Sequence, residues 1–160
     1  MNKPVRDETK LVIYDEVSPW PFQDNWQQMV HDFNIKFGRT VNTTPTIPTT
    51  DDSMLCMRLV REEVCELFDA MGDKDLPEIA DAIVDSIYVL LYTAEVHGIN
   101  VNPIMRLVHE ANMKKEGGGT REDGKILKPA GWTPPDVQGE IDRQIKAQPQ
   151  DHNTSQGRQE

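Results

Sequence analysis

Little in this chain is basic and very little is cysteine. Seventeen lysines and arginines stand against 27 aspartates and glutamates, a net charge of −10. A protein that tracks a nucleic-acid backbone carries a basic stripe, so this balance excludes a general nucleic-acid binder. A phosphate-bearing small molecule stays within reach only if a metal ion mediates between like charges. The two cysteines, Cys56 and Cys65, stand nine residues apart. On a helix that is about 13 Å, too far for a disulfide, so both are expected as buried thiols in a reducing cytoplasm. No run of 18 apolar residues occurs, which leaves no transmembrane-helix candidate. The opening MNKPVRDETKLVIYDE lacks the apolar core and small-residue cleavage site of a secretory signal, so the expected location is cytoplasmic. The 160 residues contain no internal repeat and suit one domain with its own core.

What the chain does have is helical periodicity. DNWQQMVHDFNIKF, 24–37, spaces Trp26, Met29, Val30, Phe33 and Phe37 along one face, with Gly38 as the stop. VNTTPTIPTTDDS, 41–53, is a threonine–proline loop. A second helix is predicted from Asp52 or Ser53 to Met71, ending at Gly72. A third runs from near Asp75 to His97 before Gly98, and a fourth from Asn102 or Pro103 to about Lys115. LVIY at 11–14 has strand character but no partner, so nothing supports a sheet. The reading is an all-α bundle of about four main helices, with an N-terminal extension at 1–24, the domain at 25–137 and a polar, disordered tail at 138–160.

The acids gather on the second and third helices. REEVCE, 61–66, supplies Glu62, Glu63 and Glu66; EIAD, 78–81, supplies Glu78 and Asp81, with Asp85 a turn later. On the second helix Val60, Val64, Leu67, Phe68 and Met71 form an apolar stripe, and Glu63 and Glu66 lie on its shoulder. On the third, Glu78, Asp81 and Asp85 share an arc of about 60° that Tyr88 and Tyr92 continue. Most of the remaining circumference is apolar, so that helix is expected to be buried, its acidic strip facing something other than open water. Either stretch alone admits a plainer reading: REEVCE as a solvated face with an Arg58–Glu62 pair, DLPE as a capping box. The third helix weakens that reading, because its three acids have no lysine or arginine between Lys74 and Arg106 to pair with. A divalent cation resolves the repulsion, and an all-carboxylate set favours Mg²⁺ or Mn²⁺ over zinc. Such an ion takes its remaining ligands from substrate phosphate, and the glycine-rich 114–128 segment carries five bases against three acids.

EExxE followed by ExxD, with RLVREEVCELFDA, DLPEIADAIVDSIYVLLYTAEVHGIN, VHEANMKK and DGKILKPAGWTPPDV, resembles the all-α nucleoside triphosphate pyrophosphohydrolases. That superfamily holds MazG, the dimeric dUTPases, the dCTP pyrophosphatases and phosphoribosyl-ATP pyrophosphohydrolase. The resemblance covers about residues 25–137 and implies a helical bundle whose core is completed by dimerisation, as a homodimer or homotetramer. It implies metal ligands at Glu63, Glu66, Glu78 and Asp81. Glu62 matches an acid tied to a further metal or to the attacking water, and Asp85 a recurrent acid of this branch. Asn112, Lys115, Lys125 and Lys128 match sugar and phosphate contacts. Lys114 departs from the branch, which has Ser or Thr there, and the gap after Met71 is short. The implied activity converts a (deoxy)nucleoside triphosphate, dUTP among the candidates, to monophosphate and pyrophosphate, Glu62 or Glu63 serving the water. The base is expected beside the first helix, where Trp26, His31 or Phe33 either stack on it or belong to the core. The alternatives are phosphoribosyl-ATP hydrolysis, a nucleotide sensor and a non-catalytic dimerisation module.

Overall fold

The computed structural model describes residues 25–147, which form five α-helices and, among the described residues, no strand. The first, α1, spans Trp26–Lys36 and is capped by the Asn25 side chain, which accepts from the Gln28 N–H. The second, α2, spans Thr50–Asp73. It begins earlier than expected because the Thr49 hydroxyl, accepting from the Asp52 N–H, is the cap. It also runs through Gly72, the expected stop. The reversal falls instead on Lys74, which adopts the left-handed conformation at φ 57°. Asp75 is already committed to capping the next helix, so the link is only two residues long and Lys74 must turn the chain.

That next helix, α3, spans Leu76–Val96 with Pro77 in its first turn. Gly98, at φ 67°, ends it as predicted, and no other residue fits there: a Cβ would lie 2.2 Å from the Thr44 carbonyl oxygen. Asn100 caps α4, Val101–Met113. A fifth helix, α5 at Val137–Lys146, occupies the start of the tail expected to be disordered. Asp136 caps it by accepting from the Gly139 N–H, and Gln144 ties it to both backbone groups of Asn100. The rest of that tail, the 1–24 extension and the LVIY segment lie outside the described residues.

Packing follows the short connections. Helices α2 and α3 form an antiparallel hairpin in contact along its length, α1 lies on α3, and α4 packs on α5. The core is small: Val30, Cys56, Tyr92 and Val96, with Leu55, Leu59, Tyr88 and Leu91 against it. Cys65 is exposed, not buried as expected. Nine residues rotate it about 180° round α2 from Cys56, so one core cannot take both thiols. Nor is α3 covered all round: Val84 is 57% and Leu90 55% exposed, and Phe68 on α2 is 69% exposed. Arg58 and Glu62 form no ion pair among the described residues. No described helix is long and apolar enough to cross a membrane.

Candidate active site

The α2–α3 hairpin sets the register of the acids. The Cys56 and Thr93 side chains face each other across it, so seven residues further on Glu63 stands opposite Ser86, next to Asp85. Glu63 is half-buried. Its carboxyl is pushed above the ordinary glutamate value, first by burial and then by the charges of Glu66, Asp85, Glu62 and Asp81 in that order. Five of the six predicted acids therefore share one electrostatic field, contributed by both helices. Glu78 is not among the charges acting on Glu63; it lies seven residues before Asp85, about 10 Å along the helix.

Glu62, Glu66, Glu78, Asp81 and Asp85 are exposed. No three His, Cys, Asp or Glu side chains among the described residues converge tightly enough to hold an ion as they stand. Like charges without a counter-ion swing apart, and these side chains are free at the surface to do so. The donor set itself, carboxylates alone on rigid helices, suits a hard cation that keeps water in its shell.

The predicted phosphate contacts stand elsewhere. Asn112 is exposed in the last turn of α4, and Lys115 is half-buried in the turn that follows. Lys125 and Lys128 are exposed on the loop beyond. That loop is built, not slack. Thr120 and Ile126 form an isolated antiparallel bridge, and Gly118 sits so close to the Leu127 carbonyl that a Cβ would be 1.9 Å from it. The Trp132 Nε1–H donates to the Ala111 carbonyl at 2.7 Å, with the Lys128 ammonium 4.1 Å from its ring centroid. Asn112, Lys115 and Lys128 are thereby drawn to one end of α4. Helix α4, which carries Asn112, packs on α5, whereas the acids lie along the α2–α3 hairpin.

Of the aromatic candidates on α1, His31 is engaged at the far end of α3. Its Nδ1 lies 2.6 Å from Oε2 of Glu95, a carboxylate only 7% exposed. The Gln27 Nε2 donates to the other Glu95 oxygen and to the Ile99 carbonyl. These groups line a polar cleft of about 430 Å³ with Asn42, Asn100 and Gln144. Glu95 is ten residues past Asp85, about 15 Å along the helix. Phe33, by contrast, meets Tyr88 edge-on at 5.7 Å and Phe37 at 4.5 Å, next along the acidic ridge.

Two residues escaped the sequence reading. Glu95 had a signal, a lone acid in the apolar run VLLYTAEV, which marks a carboxylate that must find a partner if buried. Arg39 had none, because its partners come from different elements. Its guanidinium lies 5.7 Å from the Phe33 ring centroid and 5.2 Å from that of Tyr92. Its charge also opposes the rise that burial imposes on both the Tyr88 and Tyr92 phenols.

A helical hairpin that gathers carboxylates from both arms around one half-buried glutamate, with no strand among the described residues, defines the all-α MazG-like class. Within it, the chain belongs to the phosphoribosyl-ATP pyrophosphohydrolase family, whose model matches residues 30–112, over half its length. The match includes every predicted acid and ends at Asn112, short of the basic loop. The chain is also similar to the uncharacterized protein L479 of Acanthamoeba polyphaga mimivirus, 38% identical over 79 residues, 47% of this chain. It spans 32% of that relative's length.

Proposed function

We propose that this protein is a metal-dependent nucleotide pyrophosphohydrolase that cleaves a (deoxy)nucleoside triphosphate, dUTP among the candidates, to monophosphate and pyrophosphate. The supporting observation is Glu63, half-buried and held protonation-prone by the fields of four other acids from two helices. Family membership gives the reading its chemistry.

Mg²⁺ or Mn²⁺ fits this donor set, and Glu63, Glu66, Glu78, Asp81 and Asp85 would hold it. When bound, such an ion neutralises phosphate charge and lowers the pKa of a coordinated water. The chain's own work is the rest. Glu62 or Glu63 orients the water and accepts its proton as its oxygen attacks the α-phosphorus. The bond to the β-phosphate bridging oxygen breaks, and pyrophosphate leaves with that electron pair. Phe33 presents an aromatic face to the base, while His31 stays bound to Glu95 and takes no part.

Asn112, Lys115, Lys125 and Lys128 are assigned to sugar and phosphate. Helix α4, which carries Asn112, packs on α5 while the acids lie along the α2–α3 hairpin, which supports a site completed by a second copy. The open faces of α2 and α3 around Phe68, Val84 and Leu90 supply the means of pairing, as a homodimer or homotetramer. The active domain is taken as 25–137, with α5 braced on its α4 end, at work in the cytoplasm.

The test is a panel of ribo- and deoxynucleoside triphosphates with Mg²⁺ or Mn²⁺, products resolved by chromatography. Monophosphate and pyrophosphate in equal amounts are expected, with none from Glu63→Ala. Phosphoribosyl-ATP belongs in the panel, since the matching family carries its name; turnover of it alone would replace the triphosphate assignment. Absence of any turnover, with no rise in melting temperature on adding Mg²⁺, would leave a non-catalytic helical module.

A further inference from the structure

We propose that Arg39 is a specificity-determining residue that reads the carbonyl edge of the nucleobase, favouring oxo-bases over amino-bases; this rests on the triphosphate reading above. The argument begins on α3. Asp81, Asp85, Tyr88 and Tyr92 follow one another at helical spacing, so a single ridge leads from the carboxylate field to an aromatic patch. From Asp85 to Tyr88 the rise is about 4.5 Å and to Tyr92 about 10 Å. A nucleotide whose phosphates lie at the acids spans one sugar before its base reaches that patch. Phe33 and Phe37, both solvent-accessible, and Tyr88 form the patch, and they offer the flat apolar contact a base requires.

Arg39 stands over this patch in a fixed pose. Its guanidinium lies within cation–π distance of both Phe33 and Tyr92, which leaves its five N–H donors directed at the edge of the patch. In a chain at −10, an exposed arginine beside acids ordinarily finds a carboxylate. Arg39 has none within ion-pair distance among the described residues. The reason is local. Asp52, whose charge reaches the same Tyr92, is taken up on both oxygens, Oδ1 by the Thr40 hydroxyl at 2.9 Å and Oδ2 by the Thr49 hydroxyl at 2.7 Å.

What remains is a planar, oriented set of donors with no acceptor, at the rim of an aromatic surface. Donors alone match carbonyl oxygens and ring-nitrogen acceptors, and they repel an exocyclic amine. Uracil, thymine, guanine and hypoxanthine carry the matching carbonyl; cytosine and adenine present an amino group at the equivalent position. The rings hold the guanidinium in place before the ligand arrives, so little ordering cost offsets the contact.

The test compares wild type, Arg39→Ala and Arg39→Lys on dUTP, dGTP, dCTP and dATP with Mg²⁺. Wild type is expected to favour the oxo-bases in kcat/KM. Both variants should lose that preference at least tenfold, the worth of one charged hydrogen bond. Lysine keeps the charge but lacks the fork, so a preference fully retained in Arg39→Lys would overturn the proposal. An equal loss on all four substrates, which marks a phosphate contact, would overturn it too, as would no loss. Circular dichroism establishes that the variants fold, and if Arg39→Ala does not, Arg39→Lys decides. Should wild type bind these nucleotides without cleaving them, dissociation constants from calorimetry give the same ratio. Wild type that neither binds nor cleaves any of them ends the triphosphate reading and this one together; turnover with an unchanged ratio ends this one alone.

Discussion

At the scale of single residues, Glu63 is the group whose environment most needs a counter-charge. Burial and four neighbouring acids raise its carboxyl above the unfolded value, so the folded state holds that proton more tightly. The sign follows: this contribution to stability is full below the ordinary carboxylate range and is lost as pH climbs through the raised value. At pH 7 without divalent ions, Glu63→Gln should therefore raise the melting temperature by about 1–2 °C, a few tenths of a kcal/mol of relieved repulsion. The same variant should lose about 10²-fold or more in turnover. Mg²⁺ should raise the melting temperature of wild type by mass action but barely move the variant. Thermal melts by circular dichroism at two pH values, with and without Mg²⁺, check all three. Asn34 is a second misfit, fully buried on α1 with neither side-chain oxygen nor nitrogen partnered. Asn34→Leu should stabilise by about 1–2 kcal/mol in urea unfolding, since it removes the desolvation cost and keeps the shape.

At the scale of elements, the caps decide where helices start and turn. Thr49, Asp75, Asn100 and Asp136 each accept an N–H two or three residues on, and three of the four open helices that periodicity located to within a few residues. The α2 stop was misread because Gly72 looked sufficient. The two-residue link instead forces the left-handed turn on Lys74, where an L side chain costs about 1 kcal/mol. Lys74→Gly should stabilise by about 0.5–1 kcal/mol in chemical denaturation. Gly98→Ala should do the opposite and more strongly, about 2 kcal/mol or more, because the Thr44 backbone lies where the methyl would go. Helix α5 was missed for a related reason. The tail is polar in composition, which hides Val137, Ile141 and Ile145 recurring four residues apart at helical spacing; Glu140 is buried and anchored by Arg143 and Gln144 of the same helix.

For the whole molecule, the described chain buries few large apolar side chains. Among the described residues, Val30 and Val96 are the large apolar side chains that are fully enclosed. Phe68 on α2 and Ile83, Val84 and Leu90 on α3 are exposed, apolar surface of the kind that the proposed pairing of subunits would cover. Light scattering on a sizing column should return at least twice the chain mass. Val84→Asp and Leu90→Asp should shift it toward monomer and lower activity together, since each places a charge where a partner must pack. A monomeric wild type with full activity would remove the paired-subunit account.

The sequence alone determined the helical class and the positions of the acids, because periodicity and caps act within a few residues. It also determined that two neighbouring helices would carry those acids, because their link is short. Only the tertiary structure decided which of them act on one another. The pairing of Cys56 with Thr93 sets a register that puts Glu63, not Glu78, in the middle of the field. Only it could take His31 away to Glu95 and put Arg39 between Phe33 and Tyr92, since each of those contacts joins residues 53 or more apart in the chain or rings on separate helices. Local preference fixes where helices form; which side chains meet across them depends on how far round and how far along each helix is set, and that is a property of packing.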